Sequence, residues 1–144
     1  MREESIHPRP RREAAIALLE AASLPASDLT DAHMEHFFFS GPESAPTGLA
    51  GVEICGADAL LRSLTVVPGR RSTGLGSALL EHAEAHARSS GVRSIFLLTT
   101  TAEEFFRRRG YRTATRESAP AAIRETREFA DICPATSAFM VKDI

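Results

Sequence analysis

The feature that most constrains the fold of this chain is an apolar run that ends in a basic turn with spaced glycines. A helical pattern follows this turn at once. Residues 64–68 read LTVVP, and Arg71, Gly74 and Gly76 precede apolar residues at helical spacing. A strand that leads into a helix N-terminus presents unpaired backbone N–H groups and the positive end of the helix dipole. Such a turn binds anions, phosphates above all. The sequence therefore predicts a phosphate-binding strand–turn–helix unit at residues 66–80.

Two common phosphate-binding motifs do not fit this turn. A P-loop nucleotidase needs GxxxxGK[ST], which the chain lacks. A dinucleotide-binding fold wants GxGxxG soon after its first strand, with an acidic residue roughly 20 positions later. The turn is therefore predicted to hold another phosphate-bearing ligand.

The turn resembles the signature of the GNAT N-acetyltransferases, [RQ]xxGx[GA], which stands here as RSTGLG at residues 71–76. Its flanks extend the resemblance. Residues 64–68 are similar to the fourth strand of the family, 77–90 to its helix, 94–98 to its fifth strand, and AEEFFRRRGY at 102–111 to its AxxFYxxxGF block. The resemblance covers most of residues 49–112 and implies transfer of an acetyl group from acetyl-CoA to an amine.

The order of elements predicts an α/β domain of three layers. Its 144 residues suit one domain over residues 1–144. The patterns predict strands at 5–7, 36–40, 49–55, 59–67, 94–98, 111–114 and 137–141, and helices at 11–22, 28–34, 75–90, 102–109 and 119–130. The GNAT resemblance implies a mixed, mostly antiparallel, twisted sheet, splayed between strands 4 and 5, with helices on both faces.

Charge and hydropathy exclude several classes of partner. Lys and Arg number 17 against 19 Asp and Glu, so the net charge of -2 gives no reason to expect nucleic acid or an anionic membrane. No run approaches the ~20 apolar residues of a membrane span, and the N-terminus lacks the apolar core of a signal peptide. We expect a cytoplasmic protein. Cys55 and Cys133, the two cysteines, are expected to be free thiols.

The family resemblance also implies where acetyl-CoA binds. Main-chain groups of the fourth strand pair with the pantetheine arm, the turn holds the pyrophosphate, and the thioester lies near Ser63, where a backbone N–H stabilises the oxyanion. The predicted cofactor-binding residues are Leu64, Thr65, Val66, Arg71, Ser72, Thr73, Gly74, Leu75, Gly76, Ser77, Thr99 and Phe106. Acetyl-CoA is thus the expected co-substrate.

An amine must lose a proton before it attacks a thioester, so a carboxylate near Ser63 is needed. Glu53 is the candidate general base, because it interrupts an apolar strand beside the strand that carries Ser63. The alternative is that Glu53 lies on a solvated strand face. The family's usual general acid is a tyrosine at the position of Phe106, and Tyr111, the only tyrosine, is interpreted as a packing residue.

Two arginines are candidates for binding the acceptor. Arg62 interrupts an apolar strand, where a cation needs an anionic partner, so we expect it to bind a substrate carboxylate. Arg127 shares a predicted helix face with Arg124, and its alternative is pairing with a neighbouring glutamate. The expected acceptor is a small, carboxylate-bearing amine.

A second resemblance concerns the tail. The run LLTTTAEEFFRRRGY at 97–111, followed by a proline-containing helix entry at 118–121 and a closing strand, is similar to the acetyltransferase domain of bacterial N-acetylglutamate synthases. The chain is closer still to small GNAT proteins of arsenic-resistance operons, through IRETREFADICP at 123–134. This implies an amino acid or an analogue as acceptor. The alternatives are a non-catalytic acyl-CoA-binding module and an arsenic(III)-binding module that uses Cys55 and Cys133.

Two further questions are whether the chain binds a metal and whether it forms a dimer. His82 and His86 lie four apart, and His33 and His36 lie three apart. Acidic residues flank His82 and no third ligand is near in sequence, whereas structural zinc takes four ligands, so we expect no metal. A homodimer is possible, and the edge of the last strand, 137–141, is the expected contact.

Overall fold

The computed structural model describes residues 5–71, 73–127, 129–130 and 137–144. Within these residues, the strands are β1 Ile6–Pro8, β2 Phe37–Ser40, β3 Gly48–Cys55, β4 Asp58–Val66, β5 Ser94–Thr99, β6 Arg112–Thr113 and β7 Ala138–Asp143. The α-helices are α1 Arg12–Ala21, α2 Leu75–Ser89, α3 Glu103–Arg107 and α4 Ala121–Arg124. Short 3-10 turns form at His33–His36, Pro68–Arg70 and Arg116–Ser118. No helix among the described residues is long and apolar enough to span a bilayer.

The strands form one sheet in the order β1-β2-β3-β4-β5-β7-β6. Every neighbouring pair is antiparallel except β4 and β5, which are parallel. Pairing between β4 and β5 runs from Asp58 opposite Ser94 to Leu61 opposite Leu97, and no later pair follows in these described strands. The predicted mixed sheet, splayed between strands 4 and 5, is confirmed.

Helices cover both faces of the sheet, because side chains alternate along each strand. Leu79 and Leu80 of α2 pack against Leu61 of β4 in the largest core cluster. On the opposite face, Leu60 packs beside Ile123 of α4. A third cluster joins α1 to β2 and β3 on that same opposite face, through Ala15, Leu19, Phe37, Phe39 and Leu49.

A β-bulge bends β4 where it leaves β5. Leu49 lies opposite Thr65 and Gly51 lies opposite Arg62, so two residues of β4 face Ala50 alone. One of the two, Ser63, has a φ of +63°. Bulges turn a strand and re-aim its side chains. This bulge therefore separates β4 from β5 at the sheet centre.

Two predicted helices are wrong in extent. Residues 28–34 form turns that lead into the 3-10 turn at His33–His36, because Asp28 and His33 use their side chains in local and tertiary contacts. The helix predicted at 119–130 is interrupted: the α-helix Ala121–Arg124 ends in a turn at residues 125–126, and helical geometry returns at Arg127 and at 129–130. Thr126 lies in that turn and donates its hydroxyl to the carbonyl of Ile123 at 2.7 Å, a local bond that competes with helix propagation.

The edge of β7 is not open as predicted. Arg112 and Thr113 of β6 pair with Val141 and Met140. The N–H of Ala114 also donates to the carbonyl of Phe139 at 2.8 Å. A dimer that paired through this edge would have to displace β6, so the predicted dimer contact at residues 137–141 is wrong. The homodimer itself stays a prediction.

Candidate active site

A cavity of about 940 Å³ opens where β4 and β5 diverge. Its walls come from β4, from β5 and the residues after it, from α3, and from the segment after α1. The lining residues are Ala22, Ser23, Leu24, Pro25, Leu61, Arg62, Ser63, Leu64, Thr65, Val66, Arg71, Gly76, Leu97, Leu98, Thr99, Thr100, Thr101, Ala102, Phe105, Phe106 and Ser137. The splay thus produces a space between strands that would otherwise pair.

One end of the cavity lies at the N-terminus of α2. Gly74 caps this helix in the left-handed conformation, with φ +88°, which a glycine adopts without strain. The first intrahelical bond runs from the N–H of Ala78 to the carbonyl of Gly74. The N–H groups of the first turn have no partner within the helix. Gly76 lines the cavity, and a Cβ there would lie 3.7 Å from the Phe105 ring.

The basic turn before α2 is held by its own contacts. Thr73 donates its hydroxyl to the carbonyl of Arg70 at 2.5 Å. Arg71 lines the cavity and its Nε lies 3.4 Å from the carbonyl oxygen of Val66. Ser72, also predicted to bind the cofactor, lies outside the described residues. This turn brings a cation and the helix N-terminus to the same end of the cavity.

A further cation, Arg109, lies beside the first turn of α2 and outside the cavity lining, and the sequence analysis missed it. Its guanidinium donates to the hydroxyl of Ser77 at 2.9 and 2.5 Å and stacks 3.6 Å above the Phe105 ring. Arg107 and Arg108 instead pair with glutamates of α3. Within an Arg-Arg-Arg run, only the fold distinguishes the arginine beside α2 from its neighbours.

Beside the cavity, Arg62 and Glu53 meet in a buried ionic cluster. Arg62 is only 3% exposed, and its guanidinium contacts both oxygens of Asp28, at 2.5 and 2.9 Å. It also binds Oε2 of Glu53 at 3.0 Å and the hydroxyl of Ser63 at 3.2 Å. Burial alone would raise the pKa of Asp28, but the hydrogen bonds and charge of Arg62 hold it below its usual value. The cluster therefore links Glu53 to the bulge.

His33 completes this cluster. The N–H of Thr30 donates to Nδ1 of His33 at 3.0 Å, so Nδ1 is an acceptor and the proton of the neutral ring sits on Nε2. Nε2 lies 3.7 Å from Oε1 of Glu53. Ligand atoms of Asp28, His33 and Glu53 lie within 4.8 Å of one another, as a metal would need. The cation that contacts the two carboxylates is the Arg62 guanidinium.

The remaining predicted residues divide into two groups. Ser63, Leu64, Thr65, Val66, Thr99 and Phe106 line the cavity. Glu53 does not line it and reaches it through Arg62, whereas Arg127 is exposed and away from it. Their predicted roles stay predictions. Arg124 donates to the carbonyls of Ala119 and Glu117 and does not line the cavity.

The AxxFYxxxGF-like block contributes no tyrosine hydroxyl to the cavity. The position of the family's tyrosine is Phe106, and Tyr111 does not line the cavity. Tyr111 is buried outside the cavity lining, where its hydroxyl donates to Oε2 of Glu84 of α2 at 2.9 Å. Burial, followed by the Glu84 charge, raises the pKa of Tyr111 above its usual value. Lys142 also binds Glu84, at 3.1 and 3.2 Å. Tyr111 is therefore a packing and hydrogen-bonding residue.

Ser137 is a second cavity residue that the sequence analysis missed. It precedes β7, is 6% exposed, and lines the cavity. Its hydroxyl is buried and has no hydrogen-bond partner among the residues that the structure describes. Buried polar groups are nearly always paired, and an unpaired one costs free energy. Ser137 is therefore a candidate contact for a ligand in the cavity.

Comparison with known proteins agrees with this geometry. The acetyltransferase (GNAT) domain family matches residues 34–113 of the chain, which is more than half of it. The chain belongs to the GNAT acetyltransferase family. The match includes the bulge, the turn at the N-terminus of α2, and α3, so the GNAT features lie on the cavity described above.

Individual relatives resemble parts or all of this GNAT chain. An amino-acid acetyltransferase of Ralstonia nicotianae is 46% identical over 57 residues, which are 40% of this chain and 13% of that protein. The curated relatives thus extend far beyond the matched region. N-acetylglutamate synthase from Neisseria gonorrhoeae, complexed with coenzyme A and N-acetyl-glutamate, has a TM-score of 0.80 at 22% identity, over 99% of this chain and 35% of its own.

A shorter protein matches along its whole length. Rv2747 from Mycobacterium tuberculosis, in complex with CoA and NLQ, has a TM-score of 0.75 at 16% identity, over 97% of this chain and 99% of its own. At these identities the solved structures show a shared fold.

Proposed function

We propose that this protein is an acetyl-CoA-dependent N-acetyltransferase whose acceptor is a small, carboxylate-bearing amine, an amino acid or an analogue. One observation carries the proposal: the cavity between β4 and β5 runs from the α2 N-terminus to the buried cluster around Arg62. A phosphate-binding end and a polar end, joined by an open strand edge, suit a long thioester with a phosphate tail.

The cofactor end uses main-chain groups and cations. The N–H groups of Leu75, Gly76 and Ser77 and the charge of Arg71 would bind the pyrophosphate. The edge of β4 from Leu64 onward, unpaired with β5, would hydrogen-bond the amide groups of the pantetheine arm as a neighbouring strand would. In this proposal the thioester lies at the bulge, beside Ser63.

The acceptor end is where residues from three parts of the chain converge. Ser137 offers a hydroxyl that has no partner within the described part of the chain, Arg62 offers positive charge, and the segment of residues 22–25 closes the wall. The named activity of the matched relatives, amino-acid acetyltransferase, supports an amino acid as acceptor. The Neisseria gonorrhoeae synthase complex supports the same class.

Arg62 already has carboxylate partners, which changes the role proposed for it. Its guanidinium is bound on two sides by Asp28 and Glu53, so a substrate carboxylate would join this cluster as an additional anion. We propose that Arg62 chiefly positions Ser63 and Glu53. The hydroxyl of Ser137 then donates the more direct hydrogen bond to the acceptor.

Glu53 is the proposed general base, acting through a water because its carboxylate is set back from the cavity. The amine loses a proton to that water as Glu53 accepts one, and its nitrogen attacks the thioester carbonyl. A backbone N–H at the bulge stabilises the oxyanion. Collapse breaks the C–S bond and releases CoA as thiolate, which a cavity hydroxyl or solvent protonates, since Phe106 cannot.

The arsenic-related proposals rest on the tail. The arsenic(III)-binding alternative needs Cys133, which lies outside the described residues. Burial, then the charges of Glu53 and Asp58, raise the pKa of Cys55, which disfavours its thiolate. A link to arsenic resistance stays a prediction, as does the cytoplasmic location. Arsenite-dependent stabilisation lost in Cys133→Ser would favour the binding module.

The test of the proposed function is release of CoA from acetyl-CoA with a panel of amines. The panel holds glutamate, aspartate, glutamine, phosphinothricin and its arsenic analogue, with putrescine as an acceptor that lacks a carboxylate. We expect turnover with a carboxylate-bearing acceptor and none with putrescine. Acetyl-CoA binding without turnover of any amine would support the non-catalytic module instead.

A further inference from the structure

A second, smaller cavity lies beside the first turn of α2. Its volume is about 450 Å³, and its walls come from one face of α2, from the residues just after α3, and from β7. Its polar and charged lining residues are Ser77, Glu81, Glu84, Arg108, Arg109 and Lys142. Gly76 lines the cavity between β4 and β5, whereas its neighbour Ser77 lines this second cavity. The two cavities therefore adjoin the same helical turn.

Most charges that line the second cavity are already paired. Lys142 contacts both carboxylate oxygens of Glu84, at 3.2 and 3.1 Å. Arg108 contacts a glutamate of α3 at 3.4 Å, and Glu81 lies exposed on α2. Among the described residues, no carboxylate contacts Arg109, the third cation of the lining. Arg109 is therefore the cation that is left to attract an anion from solvent.

The half-buried Arg109 guanidinium is held in place by uncharged groups. It donates through Nε and one Nη to the hydroxyl of Ser77 and through the other Nη, at 2.8 Å, to the carbonyl of Phe105. A guanidinium has five N–H groups, so one on each Nη is still unused. Paired N–H groups of this kind match two oxygens of a phosphate. The surroundings of Arg109 thus suit a phosphate that the chain itself does not supply.

The proposed cofactor carries such a phosphate. Besides its pyrophosphate, CoA has a separate phosphate on the 3′ oxygen of its ribose. The pyrophosphate is proposed to bind the N–H groups of the first turn of α2, on which Ser77 holds Arg109. The ribose follows the pyrophosphate directly in CoA, so its 3′-phosphate would lie close to that turn as well.

We propose that the second cavity binds the 3′-phosphate of acetyl-CoA, with the Arg109 guanidinium as its principal partner. The inference rests on the proposed use of acetyl-CoA and adds a residue that distinguishes acetyl-CoA from acetyl-dephospho-CoA. The Ser77 oxygen accepts two bonds from Arg109, so its own proton is free to be donated to the same phosphate. The Phe105 ring, which lines the first cavity, orients this cation by stacking.

The experiment compares the binding of acetyl-CoA and acetyl-dephospho-CoA, which differ only in the 3′-phosphate, by calorimetry. The wild type should bind acetyl-CoA at least about tenfold more tightly, because hydrogen bonds to a charged group contribute that much or more. In Arg109→Gln, the Kd for acetyl-CoA should rise about tenfold, while the Kd for acetyl-dephospho-CoA should stay within about twofold of its wild-type value. Arg107→Gln is the matched control, because Arg107 pairs with glutamates of α3 and does not line the second cavity.

Arg71→Gln distinguishes this inference from the proposed function. It removes a charge proposed to bind the pyrophosphate, which both ligands carry, so both Kd values should rise together. Equal binding of the two ligands by the wild type overturns the inference without any variant, and so does an Arg109→Gln variant that weakens both ligands equally. Failure of the wild type to bind either ligand would overturn the proposed function as well, an outcome distinct from equal binding. Calorimetry reports all of these results without acetyl transfer.

Discussion

The Arg62 guanidinium binds both carboxylate oxygens of Asp28, and this contact joins the segment after α1 to β4 at the residue where the bulge begins. The two residues are 34 positions apart in sequence and both are buried. The pair therefore fixes one wall of the cavity against the strand that the thioester is proposed to contact.

Replacing Asp28 with Asn should destabilise the fold strongly. Removing one member of a buried ion pair costs about 3–5 kcal/mol in the free energy of unfolding when the other charge is left uncompensated, and Glu53, which still contacts Arg62, should keep the loss at or below the lower end of that range. Asp31→Asn is the control, because Asp31 pairs with Arg12 while 88% exposed, and exposed pairs contribute about 0–1 kcal/mol. Urea unfolding of both variants measures the difference. Equal losses of unfolding free energy in the two variants would show that the Asp28 contact stabilises the fold no more than an exposed ion pair does.

The same carboxylate should make stability depend on acid pH. The pKa of Asp28 is lower in the folded than in the unfolded protein, so its contribution is fully present above its unfolded pKa of about 3.9. It is lost as pH falls through the lower, folded value. Unfolding midpoints measured between pH 6 and 2.5 should therefore fall more steeply in the wild type than in Asp28→Asn. Parallel curves would contradict the depressed pKa.

Glu53→Gln tests the proposed base. Loss of a general base typically lowers kcat by about 10²–10⁴, and the KM for acetyl-CoA should not change. Glu104→Gln is a control on α3, where Glu104 pairs with Arg107 and Arg108 at the surface. If Glu53→Gln keeps the kcat of the wild type, Glu53 is not the base and solvent removes the proton from the amine.

Sequence reasoning predicted the parts of this fold that depend on local patterns. Alternating apolar residues indicated β3 and β4, and the glycine spacing indicated the start of α2, because each signal lies within a few residues. The contact between Asp28 and Arg62 was not predictable, since it joins segments that only tertiary packing brings together. For the same reason, the order in which β7 lies between β5 and β6 escaped prediction.

The site was predicted unevenly for a related reason. A family pattern indicated the cofactor turn, whereas Ser137 and Arg109 carry no signal of their own. Ser137 is recognised by a hydroxyl to which none of the described residues bonds, and Arg109 by its contact with Ser77. Both properties exist only once the chain has folded.

Ser137→Ala should separate ligand binding from stability. The hydroxyl has no partner among described residues, so its removal should leave the free energy of unfolding unchanged or slightly higher. A hydrogen bond to a charged acceptor group contributes about 1.5–3 kcal/mol, so the KM for the acceptor should rise roughly 10–100-fold. Steady-state kinetics and urea unfolding check both points. A marked loss of stability would instead show a structural hydroxyl.

Arg109→Gln should weaken acetyl-CoA binding. Its guanidinium lies beside Ser77 in the first turn of α2, where its charge would add to the attraction for a phosphate. We expect the KM for acetyl-CoA to rise about tenfold or more, which corresponds to about 1.4 kcal/mol. Arg108→Gln, which removes an arginine paired with Glu104, should leave that KM unchanged. Equal effects would indicate general charge attraction.

The short register between β4 and β5 divides the sheet into two half-sheets that meet along a seam of four residue pairs, from Asp58–Ser94 to Leu61–Leu97. Beyond the seam, β4 and β5 form no further backbone pairs and are held apart. A ligand that bridges the two edges supplies the cohesion that the missing strand pairs would have given. Its binding energy then also counts toward folding, and occupancy should protect amides on both sides of the seam from hydrogen exchange together.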